Sequence, residues 1–168
     1  MVKWRRWARE LLVTLALAVG VTVAMDALRG PSLPASIATA PLKTVDGEML
    51  SLAAMSAERP LLVYVWASWC AVCRYTTPGV RRLAQSGANV ASVALRSGDD
   101  ERLRRTLAAK RLPVPTVNDA NGALVRRWGV SATPTLLIIY RGKVTSATIG
   151  WTSYPGMLLR LWWAKLRC

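Results

Sequence analysis

"WASWCAVCRYTTPG", residues 66–79, is the stretch that decides the fold, because it joins two different patterns. Before it, "LLVYVWA", residues 61–67, is a continuous apolar run with β-branched and aromatic members. Such a run is too short to cross a membrane and suits a strand buried on both faces. After it, Val80, Leu83 and Ala84 recur at helical spacing, which predicts a helix over 71–85. Cys70 is therefore expected to end the strand, and Cys73 to lie in the first turn of the helix. A helix N-terminus carries partial positive charge and unpaired N–H groups, so a thiolate there is stabilised and its pKa falls. Cys70 is expected to be the exposed nucleophile, and Cys73 the buried thiol that resolves a mixed disulfide.

Other chemistries compete for a close cysteine pair. The chain of 168 residues has three cysteines and no histidine. That excludes His-ligated zinc or haem, Cys-His and Ser-His-Asp catalysis, and haem attachment at C-x-x-C-H, where Arg74 stands in place of the histidine. A structural zinc site needs four ligands, and here a lone distant Cys168 remains. Copper(I) is a more serious rival, since two thiolates suit a soft ion. An inert disulfide stays open too, although so small a loop constrains the unfolded chain little.

The formal net charge is +14, from 23 Lys and Arg against 9 Asp and Glu. The basic residues are scattered, without a long run interleaved with aromatics, so a generally basic surface is expected rather than a nucleic-acid site. Attraction to anionic lipid is a secondary expectation.

The first residues, MVKWRRWARE, are basic, and from Leu11 to Met25 no residue is charged. This pattern predicts a cytoplasmic basic tail (1–9) and a transmembrane signal-anchor (10–29), with the rest of the chain exported. A clean small-residue cleavage site is missing after the apolar core, which favours an anchor over a cleaved signal peptide. "GPSLPASIATAP", residues 30–41, reads as an extended linker.

The remaining residues, 42–168, alternate strand and helix signals. Asp46-Gly47 predicts a hairpin. "NVASVAL" (89–95) and "TLLIIY" (135–140) predict strands, and "TVND" (116–119) a short one. Arg141-Gly142 would turn the strand at 135–140 into a partner at 143–150. A helix is expected over 97–112, with Ser97 and Asp100 as its capping box and Leu103 and Leu107 as its inner stripe. A brief helix is expected over 121–128. A last one begins near Pro155, with Leu158, Leu161, Trp162 and Lys165 on one stripe. This order predicts an α/β fold with a mixed central sheet and helices on both faces.

"WASWCAVC" at residues 66–73, together with "TPT" at 133–135 just before a strong strand, resembles the thioredoxin superfamily. The resemblance covers about residues 42–166. It implies a thioredoxin-like fold, a redox-active Cys70–Cys73 disulfide, a cis peptide at Pro134, and substrate contacts from Trp69, Thr133 and Pro134. It implies no bound cofactor, because the cysteine pair is itself the redox carrier. Among its members the chain looks most similar to the membrane-anchored suppressor-for-copper-sensitivity D proteins of the Gram-negative periplasm, through "ALRSGDD" (94–100) and the C-terminal region. These imply protein thiol or disulfide substrates, an inner-membrane location and a transmembrane thiol transporter as electron donor. There are departures. Tyr64 replaces the buried acid that many thioredoxins use to deprotonate the resolving cysteine. Ala71-Val72 replaces Gly-Pro between the cysteines, and Thr76 stands where cytochrome-maturation relatives often have Glu. The expectation is a thiol–disulfide oxidoreductase, with the reductase direction favoured and copper(I) binding by the same pair as the alternative.

Overall fold

The strand predicted from "LLVYVW" is β3 (Leu61–Trp66), and all of its residues are buried. Side chains along a strand alternate between faces, so β3 divides the core in two. Leu62, Tyr64 and Trp66 point into one cluster with Cys73, Val80, Leu83, Leu103 and Met157. Leu61, Val63 and Val65 point into another with Ile37, Leu52, Val125 and Trp128. Burying each large apolar side chain contributes about 1.5–3 kcal/mol, so a strand apolar at every position can occupy only the middle of a covered sheet.

That is where it lies. In this computed structural model the described residues are 35–167, with positions 4, 6, 7, 9–14, 17, 20 and 21 near the N-terminus. The strands β4 (Asn89–Leu95), β5 (Thr116–Asp119), β6 (Thr135–Tyr140) and β7 (Lys143–Ile149) complete a sheet of order β5-β4-β3-β6-β7. β3 runs parallel to β4 and antiparallel to β6, with Tyr64 opposite Ser92 on one side and Leu136 on the other. β4 and β5 are parallel, and β6 and β7 antiparallel, so the sheet is mixed. A separate hairpin pairs β1 (Leu42–Lys43) with β2 (Met49–Leu50). The α-helices within residues 35–167 are α1 (Leu52–Met55), α2 (Cys73–Gln85), α3 (Asp100–Lys110), α4 (Ala123–Arg127) and α5 (Tyr154–Arg167). Val80 and Leu83 of α2, Leu103 of α3 and Met157 and Ala164 of α5 cover one face. Leu52 of α1 and Val125 of α4 cover the other.

Several boundaries differ from those expected. α3 begins at Asp100, because Asp99 is its N-cap and accepts the Arg102 N–H at 2.7 Å. Ser97 does not cap it; its hydroxyl serves the redox loop. α4 spans 123–127 rather than 121–128, and the buried Asp119 accepts the N–H groups of Leu124 and Val125 at 3.1 and 2.8 Å. The inner stripe of α5 is Met157, Leu161 and Ala164, whereas Leu158, Trp162 and Lys165 face outward. Residues 35–38 of the expected linker form a 3-10 turn, and Ile37 and Ala38 are buried in the second core cluster. That portion is packed because its apolar side chains find a place under the sheet.

Residues 1–30 and 31–168 are separate compact units. Among the described residues no helix is long and apolar enough to cross a membrane. Much of the segment read as an anchor, 10–29, lies outside the described residues.

Candidate redox site

β3 stops at Trp66, so Cys70 lies in the loop before α2 rather than at the strand's end, and α2 begins at Cys73 rather than at residue 71. The loop turns tightly enough for the Cys70 N–H to reach the Ala67 carbonyl at 3.3 Å. Cys70 and Cys73 are disulfide-bonded, with Cα atoms 5.3 Å apart. Cys70 is half-buried and Cys73 is 1% exposed, an asymmetry that separates an accessible sulfur from a shielded one. The Cys73 N–H points at Cys70 Sγ, 3.1 Å away. The N-cap residue Val72 supplies no side-chain acceptor, and the first turn holds no acidic residue. The positive end of the helix is therefore left to act on the Cys70 sulfur.

Two segments remote in sequence close on the disulfide. The Thr133–Pro134 peptide bond is cis, and the Thr133 carbonyl oxygen lies 3.5 Å from Cys70 Sγ. The Pro134 carbonyl accepts the Gly150 N–H at 2.8 Å, which ties this loop to the end of β7 beside the exposed Trp151. On the other side, Trp69 is exposed, and its indole N–H donates to the Arg96 carbonyl at 3.2 Å. The Ser68 N–H donates to Ser97 Oγ at 2.9 Å, and Ser97 in turn donates to the Leu95 carbonyl at 3.1 Å. Ser97 is thus recruited to hold the loop that carries Trp69 and Cys70. An open cleft of about 1050 Å3, bounded by Trp69, Arg96, Arg102, Arg105 and Lys110, borders this loop. Val72 and Tyr75 extend the exposed apolar surface around the sulfur.

Beneath the pair sits Tyr64, where an acid stands in many thioredoxins. Its hydroxyl is 3.2 Å from the Cys73 carbonyl and 3.1 Å from Thr77 Oγ1. Burial pushes its pKa up to about 12, partly offset by the Thr77 hydrogen bond. The phenol therefore stays protonated at neutral pH and is no anionic base for Cys73. Asp119 is the one buried acidic residue among those described, and both of its oxygens are engaged by α4. Thr76 is buried in α2, and its hydroxyl has no hydrogen-bond partner among the described residues. No group of three or more potential metal-ligating side chains occurs among the described residues.

The sequence singled out Cys70, Cys73, Trp69, Thr133 and Pro134, and all five lie in this one neighbourhood. It did not single out Ser97 or Gly150 as parts of the site. Their roles depend on chain segments meeting across the sheet, for which no local sequence signal exists.

The redoxin family profile matches residues 19–153. The chain belongs to this family. A thioredoxin-like protein of Haemophilus influenzae is 37% identical over 145 residues, covering 86% of this chain and 87% of that protein. A thiol:disulfide interchange protein DsbE of Pseudomonas fluorescens is 28% identical over 154 residues, covering 87% and 86%. Among solved structures, a secreted Mycobacterium tuberculosis disulfide oxidoreductase homologous to E. coli DsbE superposes with a TM-score of 0.63 at 18% identity, covering 75% of this chain and 96% of that one. The fold is thioredoxin-like, and with the Cys70–Cys73 disulfide the chain is a protein-disulfide oxidoreductase.

Proposed function

We propose that this redoxin-family chain is a membrane-anchored periplasmic thiol–disulfide oxidoreductase working in the reductase direction on protein substrates. The observation that carries the chemistry is the Cys73 N–H directed at the half-buried Cys70 sulfur, with Cys73 itself shielded. In the reduced enzyme the Cys70 thiolate attacks one sulfur of a substrate disulfide. The substrate S–S bond breaks and one substrate thiolate leaves, taking a proton from solvent. The Cys73 thiolate then attacks Cys70 Sγ, which releases the second substrate thiolate. The enzyme is left as the disulfide, and two electrons have passed to the substrate. The Thr133 carbonyl and Pro134 dock the substrate backbone beside Cys70, while Trp69 lines its other side.

The location rests on the sequence: basic residues 1–9, the uncharged run within 10–29, and an exported domain. In an oxidising compartment the disulfide must be re-reduced, so a transmembrane thiol transporter is the proposed electron donor. The suppressor-for-copper-sensitivity D proteins are the proposed nearest type.

Trapping of mixed disulfides tests the roles. A Cys73→Ala chain should accumulate covalent adducts through Cys70, because nothing then resolves them. Equal trapping through Cys73 in Cys70→Ala overturns the assignment. Tight copper(I) binding by the dithiol without insulin reduction favours the metal-binding alternative. An alkaline phosphatase fusion after residue 168 should be active only if the domain is exported.

A further inference from the structure

The outward side of α5 is unusual for the surface of a globular domain. Met157 and Ala164 are buried against the sheet, as an amphipathic helix requires. Yet the opposite side is apolar as well: Leu158, Leu159, Trp162, Trp163 and Leu166 are each between 41% and 60% exposed. At 3.6 residues per turn these five residues, with the exposed Pro155, occupy one continuous band. A helix that is apolar on every side is normally covered on every side. The two indoles lie next to each other, with centroids 6.5 Å apart.

Charge says what kind of surface covers the band. Lys165 is exposed at one edge, and Arg160 lies at the other, where it donates to Ser146 Oγ at 3.2 Å. No acidic residue follows Asp119 in the chain, while seven Lys and Arg do. A band of Leu and Trp edged by cations, on a part of the chain with no Asp or Glu, has the composition of a helix that lies in the interface of an anionic bilayer. Trp suits that depth because its ring is apolar and its N–H can remain hydrated. A protein partner would need a matching apolar groove rimmed by acids, whereas a phosphatidylglycerol surface presents both features without further design. The redoxin match ends at residue 153, just before this helix.

We propose that the outer face of α5 seats the domain on the surface of an anionic lipid bilayer, with Leu159, Trp162, Trp163 and Leu166 entering the interface and Arg160 and Lys165 meeting lipid phosphates. This differs from the proposed anchor: it concerns residues 155–166 and would hold whether or not residues 10–29 cross the membrane. Seating of this kind would fix the orientation of the redox loop relative to a membrane-embedded electron donor.

The test uses the full-length chain with nanodiscs of phosphatidylcholine, nanodiscs containing phosphatidylglycerol, and detergent. Hydroxyl-radical labelling read by peptide mass spectrometry separates Trp162 and Trp163 from the reference residues Trp69 and Trp151, and from Trp4 and Trp7, which report the N-terminal segment independently. With anionic discs, labelling of Trp162 and Trp163 should fall several-fold while Trp69 and Trp151 hold steady, and added salt should reverse it. Arg160→Gln and Lys165→Gln should each weaken the protection about fivefold, since a cation at such a surface is worth roughly 1 kcal/mol. Leu159→Gln should abolish it and leave insulin reduction intact. Equal labelling with anionic discs, neutral discs and detergent overturns the proposal, whatever Trp4 and Trp7 show. Protection in detergent that rises with protein concentration also overturns it, and identifies a second copy as the cover. Protection in detergent at every concentration overturns it in favour of another part of the same chain.

Discussion

Replacing Tyr64 by Phe tests the reading of the buried phenol, and the outcome should change sign with pH. At pH 7 the wild-type hydroxyl has one proton to donate, to either the Cys73 carbonyl or Thr77 Oγ1. Thr77 already donates to that carbonyl at 2.8 Å. Removing the phenolic oxygen therefore strands no donor, and the cost should be that of one ordinary buried hydrogen bond, about 1 kcal/mol. Alkaline pH reverses the balance. The folded-state pKa is raised to about 12 from 10.0. A raised pKa means that the folded state holds its proton more tightly than the unfolded chain. The associated stability is complete below pH 10 and is lost as pH rises through 12. Two pKa units correspond to about 3 kcal/mol, of which about half is gone by pH 11.

Tyr64→Phe should therefore be less stable than wild type by about 1 kcal/mol at pH 7, equal to it near pH 11, and more stable above. Denaturant unfolding of the disulfide form, followed from pH 7 to 11.5, measures this; other Tyr and Lys titrations cancel in the difference. A difference between the two proteins that stays constant with pH would refute the buried, proton-retaining phenol. The same variant bears on catalysis. If Tyr64 were the anionic base for Cys73, insulin reduction at pH 7 would collapse in Tyr64→Phe. A phenol that holds its proton to pH 12 predicts a modest change.

Other substitutions probe the frame around the site. Asp119→Ala removes the acceptor of two buried N–H groups in α4 and should cost about 2–3 kcal/mol, seen as a lower denaturation midpoint; Asp119→Asn should recover part of it. Ser97→Ala leaves the Ser68 N–H without its acceptor and should cost about 1–3 kcal/mol, with a fall in insulin-reduction kcat/KM that Ser97→Thr restores. Met157→Ala should cost about 2–5 kcal/mol, since Met157 is fully buried and its Cε occupies the space that a Cβ at Gly79 would approach to 3.3 Å. Leu158→Ala, on the outward side, should be nearly neutral by the same measurement.

What was legible in the sequence follows from what local pattern can encode. β3, β4 and β6 were readable because a strand in mid-sheet must be apolar on both faces, and few other elements produce runs like Leu61–Trp66 or Thr135–Tyr140. The cysteine pair was readable because its spacing and its place after such a strand are both local. The N-terminus of α3 was misplaced by a competition between equals. Ser97 and Asp99 are both good caps, and the Ser68 N–H across the sheet claimed Ser97. The inner stripe of α5 was misread because the helix is apolar nearly all the way round. Periodicity cannot orient such a helix, and only the sheet selects Met157, Leu161 and Ala164. Tyr64 was legible as a departure but not in its consequence, since its bond to Thr77 and its displaced pKa exist only in the fold.

The geometry also bears on the direction of electron flow. The Cys73 N–H, an uncapped helix end and the absence of acid in the first turn all stabilise a Cys70 thiolate. Stabilising the thiolate stabilises the reduced enzyme, which raises the potential and by itself favours an oxidant; each 30 mV corresponds to about 1.4 kcal/mol. The same feature helps a reductase in another way. The thiolate, not the thiol, is the species that attacks a substrate disulfide. Cys73 has no free buried carboxylate among the described residues to take its proton, since Asp119 is engaged by α4. A potential well above that of thioredoxin therefore does not forbid reduction, provided a donor keeps the dithiol filled. Potential and donor supply must be measured together: if Cys70–Cys73 is oxidising and no donor reduces it in cells, the reductase direction fails, whereas an oxidising couple found mostly as dithiol in cells requires a donor.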